Sequence, residues 1–126
     1  TNHIVGRVGT LGSNAAKEGV NLAVMREAVA VQMTWVGSPT IYYGDEAGLC
    51  GFTDPDNRRT YPWGNENREL IEFHREMIRI HKEELPLRCG SICMLYWEKN
   101  ILAYGRFQGE EQIVVVLEQQ QRNCAN

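Results

Sequence analysis

The chain has 126 residues, of which 43% are hydrophobic and 23% are charged, and its formal net charge is −3. These values are those of an ordinary globular domain with a modest core. The acidic balance argues against nucleic-acid binding, which needs a basic surface, and no apolar run approaches the roughly 18 residues that predict a membrane span.

A helix is predicted first, over residues 21–36. Its apolar residues recur at intervals of three and four, as in a helix that buries one stripe; they are Leu22, Met25, Val29, Met33 and Val36. Gly37 and Pro39 then favour a stop. The β-branched and aromatic run at residues 40–43 predicts a buried strand. Helix, tight turn and strand together indicate part of a parallel α/β sheet.

A second helix is predicted over residues 65–84, with Asn65 or Asn67 as its N-cap and Pro86 just beyond its end. Three runs of strand-like composition follow it, at residues 91–97, 101–107 and 112–117. Because only short turns separate these runs, they predict an antiparallel meander.

A long loop, residues 44–65, joins the predicted strand to the second helix and contains the run GFTDPDNRRTYPWG. Long loops in compact domains are usually functional or disordered, and the aromatic residues of this one argue against disorder. Carboxylate acceptors beside arginine donors, with a flat aromatic face, suit the hydroxyls and C–H faces of a sugar. The residues alone leave a second interpretation open, in which the acids simply pair with the arginines and lock the loop.

Four cysteines are present, and Cys89 and Cys93 form a C-x-x-x-C motif without a histidine at ligand spacing. Zinc binding is therefore the weaker interpretation, and reduced thiols of a cytoplasmic type of protein are expected. We predict no metal and no cofactor.

The run GSPTIYYGDEAGLCGFTDPDNRRTYPWG, residues 37–64, closely resembles the α-amylase family of glycoside hydrolases. Within that family it is most similar to the neopullulanases, cyclomaltodextrinases, maltogenic amylases and amylopullulanases. The family pattern is G-x-P-x-I-Y-Y-G-D-E followed by D-P-x-N-R-R-x-x-P-W. The resemblance implies the C-terminal end of a (β/α)8 barrel for residues 1–88. It implies the first strands of an antiparallel β-sandwich for residues 89–117, and we expect the polar tail, residues 118–126, to be disordered.

The same resemblance implies the roles of individual residues. Asp54 and Arg58 match positions that contact sugar hydroxyls, and His3 matches a histidine that touches the sugar ring at the point of cleavage. Residues expected to organise the loop rather than to react are Asp45, Glu46, Arg59, Tyr61 and Trp63. The family motif N-H-D reads Asn2-His3-Ile4 here, so the role of its aspartate cannot be carried over.

The family's nucleophile and general acid lie on the fourth and fifth barrel strands, before the segment seen here, and a whole barrel takes about 250 residues. We therefore expect a C-terminal fragment of a retaining hydrolase, inactive alone, whose partner is an α-glucan or malto-oligosaccharide. The expected bonds are α-1,4 glucosidic, with α-1,6 as a second candidate. The alternative is a non-catalytic carbohydrate-binding or sensing module, and an interaction protein that uses its helices ranks last. Unpaired strand edges also predict a homo-oligomer or an element-swapped dimer.

Overall fold

The computed structural model describes residues 21–51 and 54–119. The predictions for His3 and Ile4, and that for the tail beyond residue 119, lie outside the described residues. Glu118, predicted as the first residue of the disordered tail, instead ends the last strand. The helices are α1 (Leu22–Thr34), α2 (Arg68–Glu83) and α3 (Leu85–Cys89), and the strands are β1 (Ser91–Glu98), β2 (Ile101–Gln108) and β3 (Glu111–Glu118). Two short 3-10 turns, Asp45–Ala47 and Asp56–Arg58, lie in the loop between α1 and α2. Within the described ranges, no helix is both long and apolar enough to cross a bilayer.

The core lies between α1 and α2. Met25, Val29 and Met33 of α1 are buried against Leu70 of α2, as the apolar stripe predicts. Each helix has an asparagine N-cap, whose side-chain oxygen accepts hydrogen bonds from backbone N–H groups of the first turn. The ring of His81 joins the two helices, because its Nδ1 donates a hydrogen bond of 2.8 Å to the carbonyl of Met33.

The strand predicted at residues 40–43 is absent from the structure, and this prediction is wrong. A β-strand exists only through hydrogen bonds to a neighbouring strand, and no described residue of the chain pairs with this segment. Ile41 and Tyr43 are exposed, and the carbonyl of Thr40 instead accepts a hydrogen bond of 2.5 Å from Gln32 Nε2 of α1. A parallel α/β arrangement is therefore not seen among the described residues.

The predicted meander is confirmed: β1, β2 and β3 form one antiparallel sheet in sequence order. Asn100, with φ of 74°, and Gly109, with φ of 60°, lie at the two turns, where a left-handed residue is favoured. Pro86 does not simply stop α2. It lies in the first turn of α3, where a missing backbone N–H leaves no hydrogen bond unmade.

One face of the sheet packs on the helices through a buried arginine. Arg106, which is 1% exposed, donates from Nη1 to the Thr34 carbonyl at 2.8 Å. Its Nη2 and Nε donate to the carbonyls of Gly90 and Ser91, at 2.8 and 3.2 Å. Tyr104 lies on the same face and shares a short hydroxyl hydrogen bond with the Thr34 side chain. These contacts fix the end of α1 against the sheet.

The opposite face of the sheet is apolar and largely exposed. The ring of Phe107 lies over Gly105, where an added Cβ would stand 2.4 Å from it. Val114 and Val116 of β3 are 54% and 63% exposed, and Tyr96 of β1 is 45% exposed. The described residues therefore form one covered and one uncovered sheet surface.

Candidate functional site

The loop that carries the predicted sugar-binding residues begins in a tight turn at Gly44. Gly44 has φ of +90°, and a Cβ there would stand 2.6 Å from a Leu49 methyl carbon, so glycine is required. Its N–H donates to the Glu46 carboxylate at 2.9 Å. The carbonyl of Ala47 accepts a hydrogen bond of 2.9 Å from the N–H of Asn67, the cap of α2. The turn therefore fixes the base of the loop to the start of α2.

Asp45 and Glu46, which pattern alone would suggest as a catalytic pair, lie within this turn. Asp45 is 9% exposed, and Glu46 is engaged by the Gly44 N–H. Desolvation is the largest cause that raises the pKa of Tyr61, and the negative charges of Glu46 and Glu66 add to that rise. The hydrogen bond from the Gly44 N–H makes Glu46 part of the turn at the base of the loop.

Two tyrosine hydroxyls hold the tip of the loop. Tyr43 donates a hydrogen bond of 2.8 Å to the carbonyl of Arg59, and Tyr42 donates one of 3.3 Å to the carbonyl of Asn57. Desolvation is the main cause that raises the pKa of Tyr43, so its hydroxyl keeps the proton that it donates. Residues 42 and 43, predicted as strand core, therefore position the segment that follows them.

The inner of two aspartate–arginine pairs joins Asp56 to Arg59. The pair is bidentate, with Nε–Oδ1 at 2.7 Å and Nη2–Oδ2 at 2.9 Å. The side chains are only 29% and 23% exposed. A planar fork of this kind is geometrically specific and stiffens the turn that it closes.

The outer pair joins Asp54 to Arg58, with Nε–Oδ1 at 2.8 Å. These side chains are 60% and 70% exposed. Ion pairs so open to water are worth about 0–1 kcal/mol, so a ligand can replace this one at little cost. The structure thus brings together the two residues predicted to contact sugar, and their contact with sugar stays a prediction.

An aromatic surface lies next to these charges along the chain. The rings of Tyr61 and Trp63 have centroids 4.5 Å apart, tilted by 50°. Trp63 is 77% exposed, so the face of its indole is open to solvent. The loop therefore offers charged hydrogen-bonding groups and an accessible flat ring on one short segment.

Sequence reasoning identified the charged residues of this site but missed its tyrosine supports. The composition of residues 40–43 predicts buried strand positions for Tyr42 and Tyr43, because aromatic and β-branched residues favour strands. One feature of the sequence could have indicated this role. Apolar and polar residues do not alternate at positions 40–43, so the pattern does not decide whether either tyrosine side chain faces the core or the loop.

Known proteins resemble this chain in sequence and in structure. An amylopullulanase of Thermoanaerobacter thermohydrosulfuricus is 46% identical over 75% of the chain, and a cyclomaltodextrinase of Thermoanaerobacter pseudethanolicus is 41% identical over 76%. The crystal structure of a Nostoc punctiforme debranching enzyme, soaked with acarbose, covers 78% of the chain at 32% identity and a TM-score of 0.71. Other relatives carry the names neopullulanase and maltogenic α-amylase. No family model matches the chain.

These relatives are much longer than the chain. It spans 6% of the length of the amylopullulanase, 17% of the cyclomaltodextrinase and 20% of the debranching enzyme. The three-stranded antiparallel sheet is consistent with the β-sheet domain that forms the C-terminal part of such enzymes. Over roughly three quarters of its length, the chain is therefore homologous to a segment of enzymes of the α-amylase family of glycoside hydrolases.

Proposed function

We propose that this chain supplies a sugar-binding rim to an α-glucan hydrolase, with Asp54 and Arg58 contacting sugar hydroxyls. One observation carries the proposal: two aspartate–arginine pairs of the same chemistry differ in exposure. The inner pair, Asp56–Arg59, is half-buried and braces the turn. The outer pair is exposed, so its remaining oxygen and N–H groups are available to a ligand.

The names of the relatives support an α-glucan or malto-oligosaccharide as the substrate class. The amylopullulanase and the cyclomaltodextrinase are named for α-glucans, and both match three quarters of this chain. A glucosyl ring presents hydroxyls at its edge and C–H groups on its faces. The exposed charges of residues 54 and 58 suit the edge, and the open indole of Trp63 suits a face.

The chain alone, in this proposal, binds glucan without cleaving it. Retaining hydrolysis needs a nucleophile and an acid whose carboxyl groups are about 5 Å apart. The resemblance puts both on barrel strands that precede the matched segment, and the charged groups of the loop hold its shape or form its rim. We place residues 1–88 at the end of a barrel and residues 89–117 at the start of a β-sandwich. The uncovered apolar face around Val114 and Val116 supports a second sheet layer there.

A matched pair of variants tests the binding role. Arg58→Gln and Arg59→Gln change the same group at neighbouring positions. We expect Arg58→Gln to weaken maltotriose binding at least fivefold in calorimetric titration, with little change in unfolding temperature. We expect Arg59→Gln to lower the unfolding temperature, because it breaks the bidentate brace. Equal binding by the wild type and the Arg58 variant would reject the proposed rim.

A reducing-sugar assay on pullulan and cyclodextrin tests the catalytic part separately. We expect no product from the chain alone, and clear turnover would overturn that part of the proposal. The second candidate, a carbohydrate-binding or sensing module, is favoured by Ile4, which stands where the family has an aspartate. This second candidate predicts the same weakening of maltotriose binding by Arg58→Gln. It also predicts that the whole source protein releases no reducing sugar.

A further inference from the structure

A groove outside the loop lies between α1 and the turn that joins β1 to β2. Its volume is about 290 Å³, just below the range of about 300–1,000 Å³ that is typical of small-molecule sites. Its polar and aromatic lining comes from Glu27, Trp97, Glu98, Asn100 and Gln119. None of these residues belongs to the loop at 44–65. The groove is therefore separate from the proposed rim.

The sheet register builds the floor of this groove. Trp97 pairs across the sheet with Leu102, and Leu102 pairs with Leu117, so the three side chains stand in a row on one face. At the open end of that row, the Asn100 carbonyl accepts a hydrogen bond of 2.8 Å from the Gln119 N–H. Trp97 is 70% exposed, so its ring forms an accessible wall on a rigid element.

The chemistry of the lining narrows the class of ligand. Two carboxylates, Glu27 and Glu98, disfavour an anion, and a purely apolar ligand would desolvate them without pairing them. Within residues 21–51 and 54–119, no group of three His, Cys, Asp or Glu side chains could hold a metal ion. A neutral ligand with many hydroxyls and one flat C–H face satisfies the carboxylates, the amides and the indole together.

We propose that this groove binds a glucosyl unit of an α-glucan, as a second contact point outside the loop. The choice of an α-glucan rests on the proposed function: the groove itself disfavours an anion or a purely apolar ligand, and its two carboxylates and indole also suit an organic cation. Two sites on one chain raise the apparent affinity for a long glucan over that for a short one, because the second contact is intramolecular.

The test is a residue-resolved NMR titration of the 126-residue chain with maltoheptaose. We expect the backbone amide signals of residues 97–101 and 119 to shift. We expect Trp97→Ala to weaken the binding that these signals report at least fivefold, and Trp97→Phe to restore part of it. If Trp97→Ala does not fold, Glu27→Gln replaces it in the same titration. Glu27 lies on α1, so this variant leaves the sheet unchanged.

A matched control removes the other exposed tryptophan. At saturating maltoheptaose, Trp63→Ala should leave the shifts at residues 97–101 in place and remove only the gain in affinity that comes from the loop, since that ring belongs to the loop. Shifts confined to residues 54–63 would overturn the groove and leave the rim intact. Shifts confined to residues 97–101 would support the groove and reject the rim. If residues 97–101 do not move up to the solubility limit of maltoheptaose, the proposed groove site is wrong.

Discussion

Replacing Arg106 with methionine should strongly destabilise the chain. The side chain is 1% exposed, and its guanidinium donates to three backbone carbonyls. These carbonyls belong to the end of α1, the end of α3 and the first residue of β1, namely Thr34, Gly90 and Ser91. Methionine keeps much of the length of the side chain but has no donor, so the variant leaves these acceptors without their partner.

The magnitude follows from the number of bonds and the burial of the charge. Hydrogen bonds to a charged group contribute about 1.5–3 kcal/mol each, so three give an upper limit of about 5–9 kcal/mol. The variant also removes the desolvation penalty of a buried cation, which offsets part of that loss. We expect a net decrease of about 3–5 kcal/mol, a large part of the roughly 5–15 kcal/mol by which such domains are stable.

Urea unfolding followed by tryptophan fluorescence measures this effect, because Trp35 packs edge-on against Tyr104, with ring centroids 5.0 Å apart. Arg106→Lys keeps the charge but not the planar fork, so its loss should be smaller, about 2 kcal/mol. Arg88→Met is the matched control, because Arg88 is exposed. A loss below about 1 kcal/mol for Arg106→Met, or one equal to that of the control, would refute the reasoning.

Three further predictions concern the loop, the loss of stability at low pH and the sheet. Gly44→Ala should lower the free energy of unfolding by about 2–4 kcal/mol, because alanine is strained at this left-handed φ and its Cβ clashes with Leu49. Gly64 has a similar φ but an added Cβ there would stand in open space, so Gly64→Ala should lower it by only about 1 kcal/mol. Equal losses in urea unfolding would exclude the clash. The N–H groups of Glu66 and Gly64 lower the pKa of Glu66 below its ordinary 4.5, so its stabilisation is present above that value and is lost as pH falls through the folded pKa. Glu66→Gln should therefore flatten the acid side of a stability–pH curve, and an unchanged slope would argue against these hydrogen bonds. Val116→Lys on the uncovered sheet face should reduce self-association in light scattering, and a wild type that stays monomeric at high concentration would contradict the predicted association.

The sequence predicts correctly those elements whose hydrogen bonds join residues close together in the chain, namely α1, α2 and the antiparallel strands. The stripe from Met25 to Met33 predicts α1, because helix hydrogen bonds lie within a few residues. Of the two predicted caps of α2, Asn65 and Asn67, the structure uses Asn67, so the helix begins three residues later than predicted. The three strands each extend no more than one residue beyond the predicted runs at either end, because short turns fix an antiparallel register. The strand at residues 40–43 failed because pairing needs a distant partner that local composition does not specify.

The candidate site was predictable in composition but not in geometry. Asp54, Asp56, Arg58 and Arg59 could form several ion pairs from their spacing alone. The 3-10 turn over Asp56–Arg58 decides the pairing, and the hydroxyls of Tyr42 and Tyr43 decide where that turn lies. Which pair faces solvent is a tertiary property, and the proposed function depends on it.

The most direct measurement of the central claim compares the two arginine side chains of the loop. An NMR titration with maltotriose can follow the Nε–H signals of Arg58 and Arg59 separately. The proposed rim predicts that the Arg58 signal shifts and saturates while that of Arg59, held by Asp56, stays in place. A shift of Arg59 alone, or no shift of either signal, would contradict the proposal that the exposed pair contacts sugar.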